Sequence, residues 1–246
     1  MGIDILIPVL SRPQNAAKVA ESLKVTKESY RLLFICSPRD TAEIEACQKV
    51  GETLIVDWQP GKGDFARKIN EGFRRTDSEW VFQGADDIIF HEDWDLHALK
   101  VARRGKRVIG TNDLHNPSVR RGTHSTHTLF ARAYIEESPG TVDGSDPVFW
   151  EGYDHQFVDV EFVEVAKRRK EWAMAKRAIV EHSHPHWGNA ERDKTYLKAF
   201  RAHGHDRRLY LQRMGLVPRR QSLRVLERQE RLRKAKAVRR GDILRP

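Results

Sequence analysis

The sequence predicts an α/β fold. One domain over residues 1–217 is built on an open, mostly parallel sheet flanked by helices, and a basic helical tail follows over 218–246. Three observations carry that expectation. Short apolar runs alternate with segments of helical period through the first half of the chain. Gly, Pro, Asp and Ser punctuate the joins between them. Charge is uneven: residues 219–246 hold eleven Lys or Arg against three acids, so the tail carries +8 of the net charge of +9.

The first strand is Ile3-Asp4-Ile5-Leu6-Ile7-Pro8. Pro13 opens a helix, because its fixed φ suits the first turn, and Ala16, Val19, Ala20 and Leu23 follow at helical spacing. Leu32 to Cys36 is the second strand, and Asp40 or Thr41 caps a helix carrying Ile44 and Cys47. Thr53 to Val56 is the third strand. Gly61-Lys62-Gly63 is a loop, and Phe65, Ile69 and Phe73 mark the face of the helix after it. Glu79 to Phe82 is the fourth strand and breaks at Gly84. Asp93 to Arg104 reads as helix, Arg107 to Gly110 as strand, and 111–127 as loop. Residues 154–169 are helical in period, with acids early and bases late. Ala178 to Val180 is a short strand, Ala190 to Ala202 a helix, and Pro218 to Arg240 one charged helix.

Composition narrows the class. A hydrophobic content of 39% supports a real core at 246 residues. No run is apolar enough to span a bilayer, and the start carries no basic flank of a secretory leader. Cys36 and Cys47 read as buried free thiols, not as a disulfide framework or zinc site. The expected setting is the cytoplasm, with no membrane partner.

Several groups carry chemistry. Asp86 and Asp87 follow an apolar strand, where ligands of open α/β sheets bind, and hard divalent cations take oxygen ligands of this kind. The same pair also suits a simple turn. His182, His184 and His186 alternate after a strand, so His182 and His184 share a face; with carboxylates nearby, imidazoles suit manganese as well as zinc. Asp159 and Glu161 open a helix, where a carboxylate can deprotonate an acceptor hydroxyl or simply complement the dipole. Glu151, Asp154 and Glu164 keep the choice of base open. Gly61 to Asn70 joins glycines, bases and a helix start, a setting for phosphate but not a P-loop.

In order, these pieces resemble the GT-A glycosyltransferases, specifically the inverting enzymes related to glycosyltransferase family two. Ile5 to Arg12 resembles the opening strand and loop that cradle the nucleobase. Gly63-Asp64-Phe65-Ala66-Arg67-Lys68-Ile69-Asn70-Glu71-Gly72 resembles the Gly-x-x-x-Ala-Arg-Asn-x-Gly stretch, with one residue inserted before Asn70. Gly84-Ala85-Asp86-Asp87 resembles the Asp-x-Asp metal motif with its first aspartate replaced by Gly84. Val158-Asp159-Val160-Glu161 resembles the acidic motif of the base, with Val158 where Glu is usual. The chain is also similar to small glycosyltransferase-like proteins of bacteriophages, which would place it in the host cytoplasm.

The resemblance implies a single GT-A-like domain that transfers a sugar, with inversion, from a nucleotide-sugar donor, most often a UDP-sugar. It implies Asp159 as catalytic base. It implies donor contacts from Pro8, Val9, Ser11, Arg12, Asp64, Arg67, Gly84, Ala85 and Asp86, with Lys62 a further phosphate ligand. It implies a divalent Mn2+ or Mg2+ ion on Asp86, Asp87, His182 and His184.

The tail turns the acceptor expectation toward DNA, where Lys and Arg neutralise phosphates. A hydroxymethylated base is the leading acceptor, with Arg120, Arg121, His127, Arg224, Arg228 and Arg231 on the acceptor side. A protein or glycan acceptor is the alternative. A non-catalytic nucleic-acid-binding protein on a degenerate GT-A scaffold competes with it, favoured by Gly84 and Val158, and a nucleotidyltransferase is a third reading.

Overall fold

The computed structural model describes residues 2–188 and 194–216. The tail expected over 218–246, with Arg224, Arg228 and Arg231, lies outside the described residues.

β1 (Gly2–Pro8), β2 (Ser29–Cys36), β3 (Glu52–Ile55) and β4 (Trp80–Gln83) form the parallel half of the sheet, in the order β3-β2-β1-β4. α1 (Pro13–Ser22), α2 (Thr41–Gln48) and α3 (Asp64–Arg74) connect them. This half follows the sequence expectation closely, because the central strands β1 and β4 and the second half of β2 are buried runs, as a covered parallel sheet requires, while β3 is the more exposed edge. Ile3, Ile5, Leu6, Ile7, Phe34 and Ile35 are fully buried.

The second half is mixed. β5 (Ile88–Phe90), α4 (Trp94–Ala102), β6 (Val108–Asn112), α5 (Pro117–Arg120), β7 (Thr128–Ala131), α6 (Arg132–Glu137), α7 (Val158–Arg168), β8 (Trp172–His182) and α8 (Lys194–Arg213) follow in chain order. The sheet continues from β4 through β7, β6 and β8 to β5. β7 runs antiparallel to both β4 and β6, β8 parallel to β6, and β5 antiparallel to β8. Three differences from the expected elements stand out. β5 and β7 are too short to show a period. The strand expected at Ala178 to Val180 extends over Trp172–His182, its alternation masked by exposed Lys176 and Arg177. The helix expected from 154 begins at Val158, because Phe157 adopts a left-handed backbone (φ 71°) as its N-cap.

Two contacts position the site. Phe82, Phe90 and Trp94 meet at 4.8–5.3 Å between ring centroids, an apolar wedge beneath the turn that joins β4 to β5. Asn70 of α3 is fully buried. It accepts from the Val148 and Phe149 amides at 3.1 and 3.0 Å and donates to the Phe149 carbonyl at 2.8 Å. Gly63 completes this anchor: its φ is +68°, and a Cβ there would lie 2.2 Å from the Glu151 carbonyl oxygen. No helix among the described residues is long and apolar enough to cross a membrane.

Asn70→Ala strands two buried amides, so we expect a loss of about 2–4 kcal/mol in urea unfolding. A variant within about 0.5 kcal/mol of the parent would remove Asn70 as the anchor of this loop.

Candidate active site

A cavity of about 580 Å3 opens beyond the carboxyl ends of β1 and β4. Its centre is a buried charge cluster. Arg12 reaches Asp86 at 3.1 Å and Asp87 at 3.4 Å. The Arg12 amide donates to Glu43 of α2 at 2.5 Å, which fixes the loop after β1. His182 Nε2 lies 3.2 Å from Asp87 Oδ1. The Tyr196 hydroxyl of α8 donates to Asp87 Oδ2 at 2.6 Å, and the Arg12 guanidinium lies 4.1 Å from the centre of the Tyr196 ring.

Strand pairing delivers His182. β5 and β8 align Ile88 with His182, and the Ser183 amide donates to the Asp87 carbonyl at 2.8 Å. His184 stands beside it, with ring centroids 5.3 Å apart, so the expected shared face is formed. The side chain of His186 lies outside the described residues.

The two carboxylates are driven apart in acidity. Burial, then the adjacent Asp87 charge, pushes Asp86 up against the pull of Arg12. Burial also opposes the charge on Asp87, but His182, the Tyr196 hydroxyl and Arg12 together hold it below the usual carboxylate range. His182 is raised in turn: burial works against its charged form, and the Asp87 charge and hydrogen bond outweigh it. His127, expected on the acceptor side, is instead buried in this cavity wall, 5.0 Å from the His182 ring. Its ring nitrogens have no hydrogen-bond partner among the described residues, and burial followed by repulsion from His182 pushes it down to about 3.

Gly84 explains its own departure from the metal motif. A Cβ there would lie 2.6 Å from Ile7 Cδ1 and 2.9 Å from Ile88 Cδ1, so a side chain enters only if both isoleucine side chains shift. Gly84 is a packing residue whose amide donates to the Leu6 carbonyl at 3.0 Å. Asp86, Asp87, His182, His184 and the unpartnered nitrogens of His127 put oxygen and imidazole donors of the kind a hard divalent ion takes around one cavity, but their ligand atoms do not all converge within 4.8 Å. Among the described residues, the group that does bring its ligand atoms within 4.8 Å of one another is Asp154, His205 and Asp206 at the rim. Asp206 is engaged there already, accepting from the amides of Asp154, His155 and Gln156 at 2.8–2.9 Å.

The donor-side expectations divide. Pro8, Val9, Arg12, Lys62, Asp64, Ala85 and Asp86 line the cavity. Ser11 is exposed and held by Asp40, with its amide 2.7 Å from Oδ2. Arg67 stacks on Trp58 at 4.2 Å, outside the lining. Its neighbour Lys68, unmarked in the sequence reading, points inward instead. Lys68 is 1% exposed and donates to the Val9 carbonyl and the Ser37 hydroxyl, both at 2.8 Å, with Asp64 at 3.0 Å. The available signal was the Asp64/Lys68 pair at helical i,i+4 spacing. Tyr196 carried no comparable signal.

Asp159 faces the same cavity from the first turn of α7. His124 Nε2 lies 3.1 Å from its Oδ2. Burial opposes the charge on Asp159, but the His124 hydrogen bond and charge prevail and hold it below the ordinary range. Three of the competing acids are committed elsewhere, while Asp154 lines the same cavity. Glu161 is 2% exposed and binds the Tyr153 hydroxyl at 2.7 Å and Arg213 at 2.8 Å. Glu164 pairs with Lys167 at 2.6 Å, and Glu151 accepts from Asn70 at 3.0 Å. Arg120 and Arg121 are exposed around the end of α5. Cys36 and Cys47 are buried free thiols.

No family model matches this chain, and no curated protein matches its sequence. Its fold is similar to that of Staphylococcus aureus TarS, with a TM-score of 0.54 and 11% identity over 73% of this chain and 36% of TarS. A TarS 1–349 structure in complex with UDP-GlcNAc gives 0.53 and 13%, over 78% of this chain and 62% of that one. Glucosyl-3-phosphoglycerate synthase from Mycobacterium tuberculosis, in complex with Mn2+, UDP and glucosyl-3-phosphoglycerate, gives 0.60 and 15%, over 89% and 81%. The chain thus spans about a third of TarS. At these identities the likeness is one of fold, and it places the mixed eight-stranded sheet among the GT-A glycosyltransferase architectures.

Restoring the motif aspartate tests the packing account. Gly84→Asp is expected to cost about 2 kcal/mol or more in urea unfolding, through overpacking and a buried charge. Unchanged stability together with tighter manganese binding would refute it.

Proposed function

We propose that this protein is a glycosyltransferase that moves a sugar from a nucleotide-sugar donor, a UDP-sugar, to an acceptor hydroxyl with inversion at the anomeric carbon. The observation that carries this reading is that one cavity joins the buried Asp86–Asp87 cluster to an ionised Asp159. Similar folds solved with UDP-GlcNAc, and with UDP and Mn2+, support it.

In this reading Pro8 and Val9 bound the nucleobase side of the cavity, and Lys62 and Arg12 offer cations to the diphosphate. Asp86 and Asp87, with His182 and His184, would hold a Mn2+ or Mg2+ ion, which would supply charge stabilisation to the departing diphosphate. Asp159 accepts the acceptor's hydroxyl proton as that oxygen attacks the anomeric carbon. The hydrogen bond to His124 orients the carboxylate and keeps it ionised.

The acceptor we propose is a hydroxymethylated base in DNA, on the strength of the +8 carried by residues 219–246. A non-catalytic nucleic-acid-binding protein on a degenerate scaffold is the second reading, favoured by Gly84 and Val158 at the positions of the metal and base motifs.

UDP is expected to raise the melting temperature only in the presence of Mn2+ or Mg2+, and Asp86→Ala to abolish the shift. No shift with any divalent ion would leave the second reading standing. Asp159→Asn should keep the shift and stop turnover; equal turnover would remove Asp159 as the base. The sign of the pH dependence follows from His124. Removing the group that holds Asp159 low raises its pKa, so the acidic limb of the pH–rate profile moves upward in His124→Gln. A limb that stays in place would detach His124 from the base. For the acceptor, deleting residues 219–246 should weaken DNA binding and flatten its dependence on salt, and an unchanged salt slope would set the tail aside.

A further inference from the structure

Two runs of bases meet at the end of the molecule opposite the cavity. Arg103, Arg104, Lys106 and Arg107 follow α4, and Lys167, Arg168, Arg169 and Lys170 close α7. Strand pairing joins them. β6 and β8 run parallel with Val108 beside Trp172, the Arg107 amide donates to the Glu171 carbonyl at 3.1 Å, and Lys106 Nζ donates to the Lys170 carbonyl at 2.6 Å. β6 runs in the direction of β4, because β7 is antiparallel to both, so the starts of β6 and β8 lie away from the carboxyl end of β4 where the cavity opens. α8 links the two ends. Tyr196 touches Asp87, and roughly 25 Å further along the helix the Met214 carbonyl accepts from Arg168 at 3.1 Å. Residues 219–246, with their +8, follow in sequence soon after this point.

We propose that this pole is a surface for the phosphate backbone of duplex DNA, separate from the catalytic cavity. It shares its partner with the acceptor reading above and does not depend on sugar transfer. The charge balance carries it. The carboxylates paired with these bases are Glu137 and Glu171, both on Arg107, and Glu164, on Lys167. Even with Glu136, the neighbour of Glu137 in α6, four acids face eight bases. Among the described residues, Arg103, Arg104, Lys106, Arg168, Arg169 and Lys170 have no carboxylate within 4.0 Å. Lys106 and Arg168 bond backbone carbonyls, and Arg169 bonds the Tyr134 hydroxyl and the Ser138 carbonyl, all neutral oxygens that leave the charge in place. Lys170 is a second observation. It takes a left-handed backbone (φ 61°) in the turn that ends α7, where glycine is favoured, and the turn after α4 does use Gly105 (φ 84°). Its side chain is exposed, so packing does not account for a lysine at this position, whereas a need for its charge does. The helix dipole favours bases in a last turn, but Arg103, Arg104, Lys106, Arg169 and Lys170 lie beyond the helix ends. Neither run carries the large apolar side chains that a membrane-surface segment inserts. Surplus, exposed Lys and Arg suit a polymer of phosphates, which they neutralise with release of its counterions. A duplex held here would present to Asp159 a segment other than the one it is anchored by.

Fluorescence anisotropy on the full chain, without donor, tests this with a labelled, unmodified duplex of about 20 base pairs at about 50 to 200 mM salt. In Arg103→Gln/Arg104→Gln the slope of log affinity on log salt is expected to fall by about 2. Lys18→Gln/Lys49→Gln removes two exposed bases from α1 and the end of α2, and is expected to keep the slope of the parent. Lys170→Gly is expected to weaken binding while its melting temperature holds or rises, a divergence that a purely structural lysine would not give. Absence of duplex binding, an equal loss of slope in the two paired variants, or parental affinity in Lys170→Gly overturns the proposal. Binding to phosphatidylserine vesicles in place of the duplex assigns the pole to a membrane and overturns it too. The thermal shift with UDP and Mn2+ is read on the same proteins. If it is absent in the parent while Arg103→Gln/Arg104→Gln lowers the slope, the donor reading fails and this surface stands. If deletion of 219–246 flattens the slope and Arg103→Gln/Arg104→Gln does not, this inference fails alone.

Discussion

Two adjacent carboxylates in a buried turn impose the central constraint on this molecule. Asp86 is 7% exposed, and its neighbour shares the same desolvated space. Ionised carboxylates there need partners, since an unpaired buried charge costs several kcal/mol. The partners come from elements far apart in sequence: Arg12 after β1, His182 at the end of β8, and Tyr196 on α8. Each partner's own anchoring follows. Glu43 fixes the Arg12 backbone, and the β5–β8 register fixes His182. The charge cluster thus ties the parallel half of the sheet, the mixed half and the long helix to a single point.

The parallel half was legible because its strands are apolar runs and its helices have clear periods and starts. The mixed half was not. β5 and β7 hold three and four residues, too few for a period, and they exist through pairing with distant strands. The same distinction divides the site. Asp86, Asp87, Asp159, His182 and His184 were visible as residue types at the ends of elements, and they do meet around one cavity. Arg67 stacks on Trp58 while its neighbour Lys68 is buried in the cavity, since successive residues on a helix are turned by about 100° and the run of bases alone does not say which faces inward. His127 is buried in the cavity wall just before β7, and nothing local in the sequence reveals that β7 is an interior strand. Tyr196 has no local signature, and its role arises only when α8 folds across the carboxylates.

Gly84 and Asp159 show how packing and hydrogen bonding shape two positions at this cavity. At Gly84 the backbone packs on Ile7 and Ile88, so the missing carboxylate reflects tight packing. Near Asp159, Glu161, Glu164 and Glu151 are bound to arginine, tyrosine, lysine or amide partners, while Asp154 shares the cavity with it. Separation of roles among neighbouring acids is thus a matter of hydrogen-bond satisfaction.

The attachment of α8 has a consequence for where the polypeptide may be cut. Asp206 holds three successive amides of the 154–156 loop, Arg213 neutralises Glu161 and Asp143, and Arg168 donates to the Met214 carbonyl at 3.1 Å. A fragment ending at β8 would leave a buried glutamate without its guanidinium and three amides without an acceptor. Such a truncation would unravel that loop before it touched the sheet. The last turn of α8 is therefore part of the smallest autonomous unit.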